Sequence, residues 1–176
     1  MHEVPVQDRF SDGTPLSLHT VAVPSYRRGL EGLGEMIRSA AADTAALRLD
    51  PAIVLGQPLA EGFPTFAQHA RGACRHVDGD LSRLSGIILG RAPPVSTFGE
   101  LGDAVAAALK FLAAVDAAAM DAAATCEVTE DGETFTGFDF IVRHSLPHFY
   151  FHIGAAALIL RHHGMAVEDP SFLWQP

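Results

Sequence analysis

Val23, Tyr26, Leu30, Leu33, Ile37, Ala40, Thr44 and Leu47 follow one another at alternating steps of three and four. That spacing holds one face of an α-helix apolar for about seven turns at 3.6 residues per turn. A stripe so long cannot bury itself. It needs partner helices of similar length, and this commits the chain to a helical bundle. Pro24 stands near the start of the stripe and is expected to bend the helix early.

The partners follow along the chain. Asp50-Pro51-Ala52 reads as an N-cap with proline at the first helical position, which predicts a short turn over Ile53 to Gly56. A second long helix is expected from Pro64, with Phe66, Ala70, Ala73, Val77, Leu81 and Leu84 as its seam and Gly86 or Gly90 as its end. Thr97-Phe98-Gly99-Glu100 has the form of a capping box, because the threonine and glutamate side chains satisfy free amides reciprocally. The third helix it opens carries the seam Phe98, Leu101, Val105, Ala108, Leu112 and Val115. Between Thr125 and Thr136 the helical period lapses, and β-branched residues flanking Asp131-Gly132 predict a small hairpin. After Gly137 a last long helix is expected to reach about His163, with Gly164 as its C-cap.

Four long helices and one hairpin predict an all-α four-helix bundle, in a single domain spanning residues 1–176. The Gly86 to Ser96 connection is long enough to cross one end of the bundle, so up-down order is not required. Composition narrows the setting. With 12 basic against 21 acidic residues the net charge is −9, and the arginines form no stripe, which argues against a nucleic-acid partner or an anionic membrane. No apolar run reaches the roughly 20 residues of a membrane span, Met1 to Phe10 lacks the pattern of a signal peptide, and Cys74 and Cys126 form no paired motif. A reducing, cytoplasmic location is the expectation.

Chemistry is concentrated in the histidines, five of which lie between His144 and His163. Counting from Phe138 in threes and fours gives Ile141, Ser145, His148, His152, Ala155 and Ile159, so His148 and His152 share the apolar stripe and should face the bundle. An HxxxH pair places two imidazoles one turn apart, close enough to ligate one divalent ion at about 2.0–2.1 Å. The third ligand must come from another helix. His69 is the best placed, one position from the Ala70 seam; His19 is a weaker choice, and His144 extends the ladder on the same helix. The competing reading keeps His148 and His152 as core histidines hydrogen-bonded to tyrosine, serine, Gln68 or backbone. Pro147 should free a carbonyl near Arg143 and kink the helix before His148. Tyr150 is a candidate proton donor, and Phe149, Tyr150 and Phe151 would wall any pocket. His162 and His163 suit the negative end of the helix dipole, Asp139 its positive end, and Cys74 reads as a buried inert thiol. The chain carries no GxSxG, Walker loop, dinucleotide fingerprint or HExxH.

Three runs resemble the C-terminal signature of the bacterial DUF1993 family: Phe135-Thr136-Gly137-Phe138-Asp139-Phe140, Leu146-Pro147-His148-Phe149-Tyr150-Phe151-His152, and Ile159-Leu160-Arg161-His162-His163-Gly164. Ser17 to Pro24, Asp50-Pro51-Ala52 and Phe63-Pro64 are similar to the same family, so the likeness covers nearly the whole chain. That family resembles a branch of the DinB/YfiT-like superfamily. The resemblance implies an up-down-down-up bundle, frequently a homodimer, and a divalent metal, zinc or nickel, held by one histidine of helix two and an HxxxH pair of helix four. By that pattern His148 and His152 are the pair. Where the superfamily has its helix-two histidine this chain has Gln68 and Ala70, leaving His69 as the third ligand from a position rotated by about 100°. Thiol or small-molecule transfer is the activity implied; the alternative is a non-catalytic binding or dimerisation domain whose site is vestigial and metal-free.

Overall fold

A computed structural model describes residues 16–85 and 95–167. Its first helix, α1 (Leu18–Ala46), is capped by Ser17, whose hydroxyl accepts the Thr20 amide. The short α2 (Pro51–Gly56) is capped by Asp50 with proline in its first turn, as the sequence suggests. The second long helix is composite: α3 (Phe66–Arg75), one π-helical segment (His76–Asp80) and α4 (Leu81–Ser85) follow without a break. It starts two residues later than Pro64, because Thr65 and Gln68 form a capping box that the sequence reading passed over. The expected box at Thr97 and Glu100 opens α5 (Phe98–Ala113). A further short helix, α6 (Ala117–Ala123), was not anticipated; Asp116 caps it, and the Asp121 carboxylate accepts from the Ser17 hydroxyl and the His19 amide, tying it to the start of α1.

The hairpin pairs β1 (Glu127–Glu130) with β2 (Glu133–Thr136), Val128 opposite Phe135. Asp131 and Gly132 both have positive φ, 50° and 83°, the signature of the tight turn that matches strand twist. The last helix is again composite: α7 (Gly137–Asp139), a π-helical segment (Phe140–Ser145) and α8 (Leu146–His162). Pro147 explains the second π segment. It has no N–H to offer the Arg143 carbonyl, so the preceding turn loosens rather than breaks. Gly164 takes φ +77° and closes the end, as expected.

Side-chain contacts fix the directions. Ser17 meets Asp121 and Gly34 lies by Val105, so α1 and α5 are antiparallel. Tyr26 meets Ser145 while Gly29 meets Ile153, so α1 and α8 are parallel. His69 meets His152 while Asp80 meets Ser145, so α3–α4 runs against α8. The order is therefore up, down, down, up, with α1 and α8 adjacent and α3 between α8 and α5. The crossover this demands falls on residues 86–94, which lie outside the described residues, as do the expected helix ends at Gly86 or Gly90. Tyr26, Leu30, Phe66, Leu112, Phe140 and Phe149 are the large fully buried side chains at the centre. No helix among the described residues is long and apolar enough to cross a membrane.

Candidate functional site

Where α3 faces α8 the core turns polar. His69 is completely buried, and its Nδ1 lies 2.9 Å from Nδ1 of His152. The approach depends on Gly72: a Cβ there would come within 2.5 Å of His152 Cε1 and 2.7 Å of both ring nitrogens. The ring of His152 therefore rests against bare backbone. His69 is held from its other sides by Phe63 and by the edge of Phe151, at ring separations of 5.1 and 5.7 Å, and its Nε2 is buried with no hydrogen-bond partner.

Two turns further along, the π segment of the second helix brings in His76, whose ring stands 5.5 Å from His152 and 5.7 Å from His148. Its Nδ1 is 2.8 Å from Asp80 Oδ2. Asp80 also accepts from the Ser145 hydroxyl, and Ser145 is 2.6 Å from the Tyr26 hydroxyl. A continuous polar chain thus runs from the buried heart of α1, through the two π segments, to the histidine cluster. Both π segments supply it: His76 and Asp80 from one, Ser145 from the other. A π turn re-aims the residues it contains, which is why such turns recur at functional sites.

Of the sequence candidates, His69 and His152 meet directly. His148 does not join them; it is exposed on the flank, with His144 4.4 Å away edge-on and His76 on its other side. His19 sits at the far N-terminus of α1 beside Asp121. Gln68 is engaged in its capping box, with Oε1 on the Thr65 amide, rather than with His152. Tyr150 donates to the Ser25 carbonyl at 3.1 Å. Asp139 is drawn to the Thr136 cap at the start of α7. Cys74 is buried, and burial pushes its thiol up to about 12, the inert state expected of it. His162 is exposed at the end of α8, but burial holds His163 below the ordinary imidazole range, so only the first is suited to be the helix-end cation.

His76, Asp80, Ser145 and Tyr26 were missed as site residues. The signal was a second stripe, His69, Gly72, His76 and Asp80, running one position ahead of the seam Ala70, Ala73, Val77 and Leu81. One stripe faces the core, and its neighbour faces α8.

Electrostatically His69, His148 and His152 are held toward the neutral form. Burial, then the neighbouring His69, His76 and Arg75, bring His152 down to about 4; burial lowers His69 and His148 in the same direction. The sign of the pH dependence follows. Between about 6.5 and about 4 the unfolded chain takes up protons that folded His152 refuses, so stability is lost as pH falls through that window. Asp78, raised by burial to about 6, acts in the opposite sense. The thermal midpoint of chelator-treated protein should fall between pH 7.5 and 5 more steeply than that of the His69→Gln/His152→Gln double variant. Parallel pH profiles would refute this.

A cavity of about 630 Å³ opens at His152, with Phe63, Pro64, Arg71, Gly72 and Arg75 among its lining. That volume lies within the range of small-molecule sites. Among the described residues no three His, Cys, Asp or Glu side chains converge closely enough to hold one ion as they stand. The fit of a metal therefore rests on the His69–His152 pair. Its separation of 2.9 Å is that of two nitrogens bound at a right angle to one ion with bonds of about 2.0–2.1 Å. A buried imidazole and a half-buried one, both held toward the neutral form, are a suitable donor set.

A "dinb family member protein" from Shewanella denitrificans, solved as a crystal structure, superposes with a TM-score of 0.82 at 26% identity, over 89% of this chain and 91% of that one. No curated protein shows significant similarity. The profile of a domain of unknown function, DUF1993, matches residues 18–173, so that nearly the whole described bundle, its hairpin and the three C-terminal runs fall within it, and the chain belongs to the DUF1993 family.

Proposed function

We propose that this DinB-like protein binds a divalent cation between His69 and His152 and serves small-molecule or thiol transfer in the adjoining cavity. The observation that carries the reading is the 2.9 Å approach of two imidazole nitrogens from different helices, one on the buried His69 and one on the half-buried His152. His69 and His152 would hold the ion through imidazole nitrogens, donors that suit nickel or zinc. His148 and His76 are the nearest further imidazoles, and the Asp80 contact at Nδ1 of His76 is the kind of carboxylate support that orients a ligating histidine. The bound ion would supply Lewis acidity, lowering the pKa of a water or thiol held beside it. The chain's own residues position the pair through Gly72 and bound the cavity with Phe63, Arg71 and Arg75.

The same 2.9 Å also suits a metal-free N–H···N hydrogen bond, and this favours the second reading, a binding or dimerisation domain with a vestigial site. Elemental analysis of untagged protein, purified without a nickel column, separates the two. Near-stoichiometric nickel or zinc is expected in the parent protein and its loss in both His69→Ala and His152→Ala, with a smaller effect of His148→Ala. Absence of metal together with no uptake from added zinc or nickel would leave the histidines as structure.

A further inference from the structure

The cavity beside the imidazole pair has a charge opposite to that of the molecule. The chain carries a net charge of −9, yet Arg71 and Arg75, one turn apart on α3, both line this cavity with His152. No carboxylate is among its described lining residues. Gln68 lines it as well, and since its Oε1 is committed to the Thr65 amide, what remains to it is a donor. Phe63 and Pro64 add apolar surface to the same lining. Donors and cations together with a ring and a pyrrolidine in one lining describe a site for a charged head on an apolar body. In an acidic protein such a concavity focuses potential locally and draws anions to one place. Guanidinium groups meet planar carboxylates and phosphates with paired hydrogen bonds.

We infer that this cavity binds a small organic anion, its carboxylate or phosphate meeting Arg75 and Arg71 and its apolar body lying along Phe63 and Pro64, next to His152. The inference rests on the reading of the imidazole pair as the functional centre and names the substrate class of that centre. An anionic group anchored on α3 would hold the rest of the molecule within reach of His152, whose ring closes the same cavity.

Benzoate and phenyl phosphate are suitable probes, with benzyl alcohol as the uncharged control, titrated into the full chain and followed by amide NMR shifts. Saturable shifts centred on residues 62–76 and 152 are expected from at least one anion and not from the alcohol. Which anion binds more tightly identifies the head group. Arg75→Ala and Arg71→Ala should each weaken binding at least about tenfold, and Arg75→Lys should restore part of the loss by returning the charge. Arg75 is exposed and Arg71 part-exposed, so folded variants are expected, and their circular dichroism checks this. No saturable response from either anion, equal response to benzyl alcohol, or unchanged affinity in both alanine variants would overturn the inference. Repeating the titration on chelator-treated protein and on His69→Ala keeps the two readings apart. Anion binding that survives in a protein shown to take up no metal supports the cavity while the metal reading falls; metal uptake without anion binding does the reverse.

Discussion

Gly72→Ala should abolish metal uptake while leaving the bundle folded. The added Cβ would stand 2.5 Å from Cε1 of His152 and 2.7 Å from each ring nitrogen, distances at which the imidazole must leave its place. Once it moves, the 2.9 Å approach to His69 is lost, and with it the one pair of donors from separate helices that meets directly. Supporting changes around metal ligands typically cost 10–100-fold in affinity; displacing a ligand outright should exceed that, so nickel or zinc binding is expected to weaken by more than about 100-fold. Folding has an offsetting term. Position 72 is helical, and alanine there is favoured over glycine by about 0.5–1 kcal/mol, so the cost of moving the ring is partly compensated. Metal titration by calorimetry beside circular dichroism reads both quantities. A well-folded Gly72→Ala protein with undiminished uptake would show that His152 is not a ligand, whereas His69→Ala alone cannot distinguish a ligand from a packing residue.

Much of the bundle was legible because it is written in repeated spacing. The Phe66, Ala70, Ala73, Val77, Leu81 seam is buried throughout, and so are Leu101, Val105, Ala108 and Leu112 on α5 and Val115 just beyond its end. The Asp131-Gly132 turn and the Thr97 capping box are local chemistry, and both appear where they were read. The histidine centre was legible only in part. His69 looked misdirected by one position from the core seam, yet a helix flanked by two neighbours needs two stripes, and His69 belongs to the one facing α8. His148 shares the three-four count with His152 but is exposed. The count assumes a uniform turn of 3.6 residues, and the π segment at Phe140–Ser145 changes the phase between Ile141 and His148. His76 and Asp80 were passed over because they lie on the stripe facing α8, one position ahead of the buried seam. Asp80 and Ser145 are 65 positions apart in sequence, and only the antiparallel packing of the two helices joins them.

Ser145→Ala should destabilise the protein by about 2–4 kcal/mol, because it leaves the Tyr26 hydroxyl without its partner and takes from the Asp80 carboxylate one of its two hydrogen bonds, at about 1–3 kcal/mol each. Ser145 and Tyr26 are both fully buried, and the serine hydroxyl is the hydrogen-bond partner of the Tyr26 hydroxyl at 2.6 Å while it also reaches the Asp80 carboxylate. The removed atom is small, so no large cavity term contributes; the expected loss comes from the orphaned Tyr26 hydroxyl and the hydrogen bond lost at Asp80. In a domain of this size that corresponds to a fall in Tm of about 5–12 °C. A second substitution separates this account from simple loss of packing. In the parent protein Tyr26→Phe removes a hydrogen bond and should destabilise; in the Ser145→Ala background it removes an orphaned hydroxyl and should cost less or even stabilise. Thermal unfolding of the two single variants and the double variant measures the coupling. Strict additivity would mean that the Tyr26–Ser145 contact contributes nothing to stability. Strong coupling would mean that the polar chain acts as a unit, and the orientation of His76 should then respond too, since Asp80 is shared between Ser145 and the His76 ring at 2.8 Å. A shift of the His76 ring resonances in Ser145→Ala, with the fold retained, would show that a hydroxyl in the core helps set the geometry of the histidine centre.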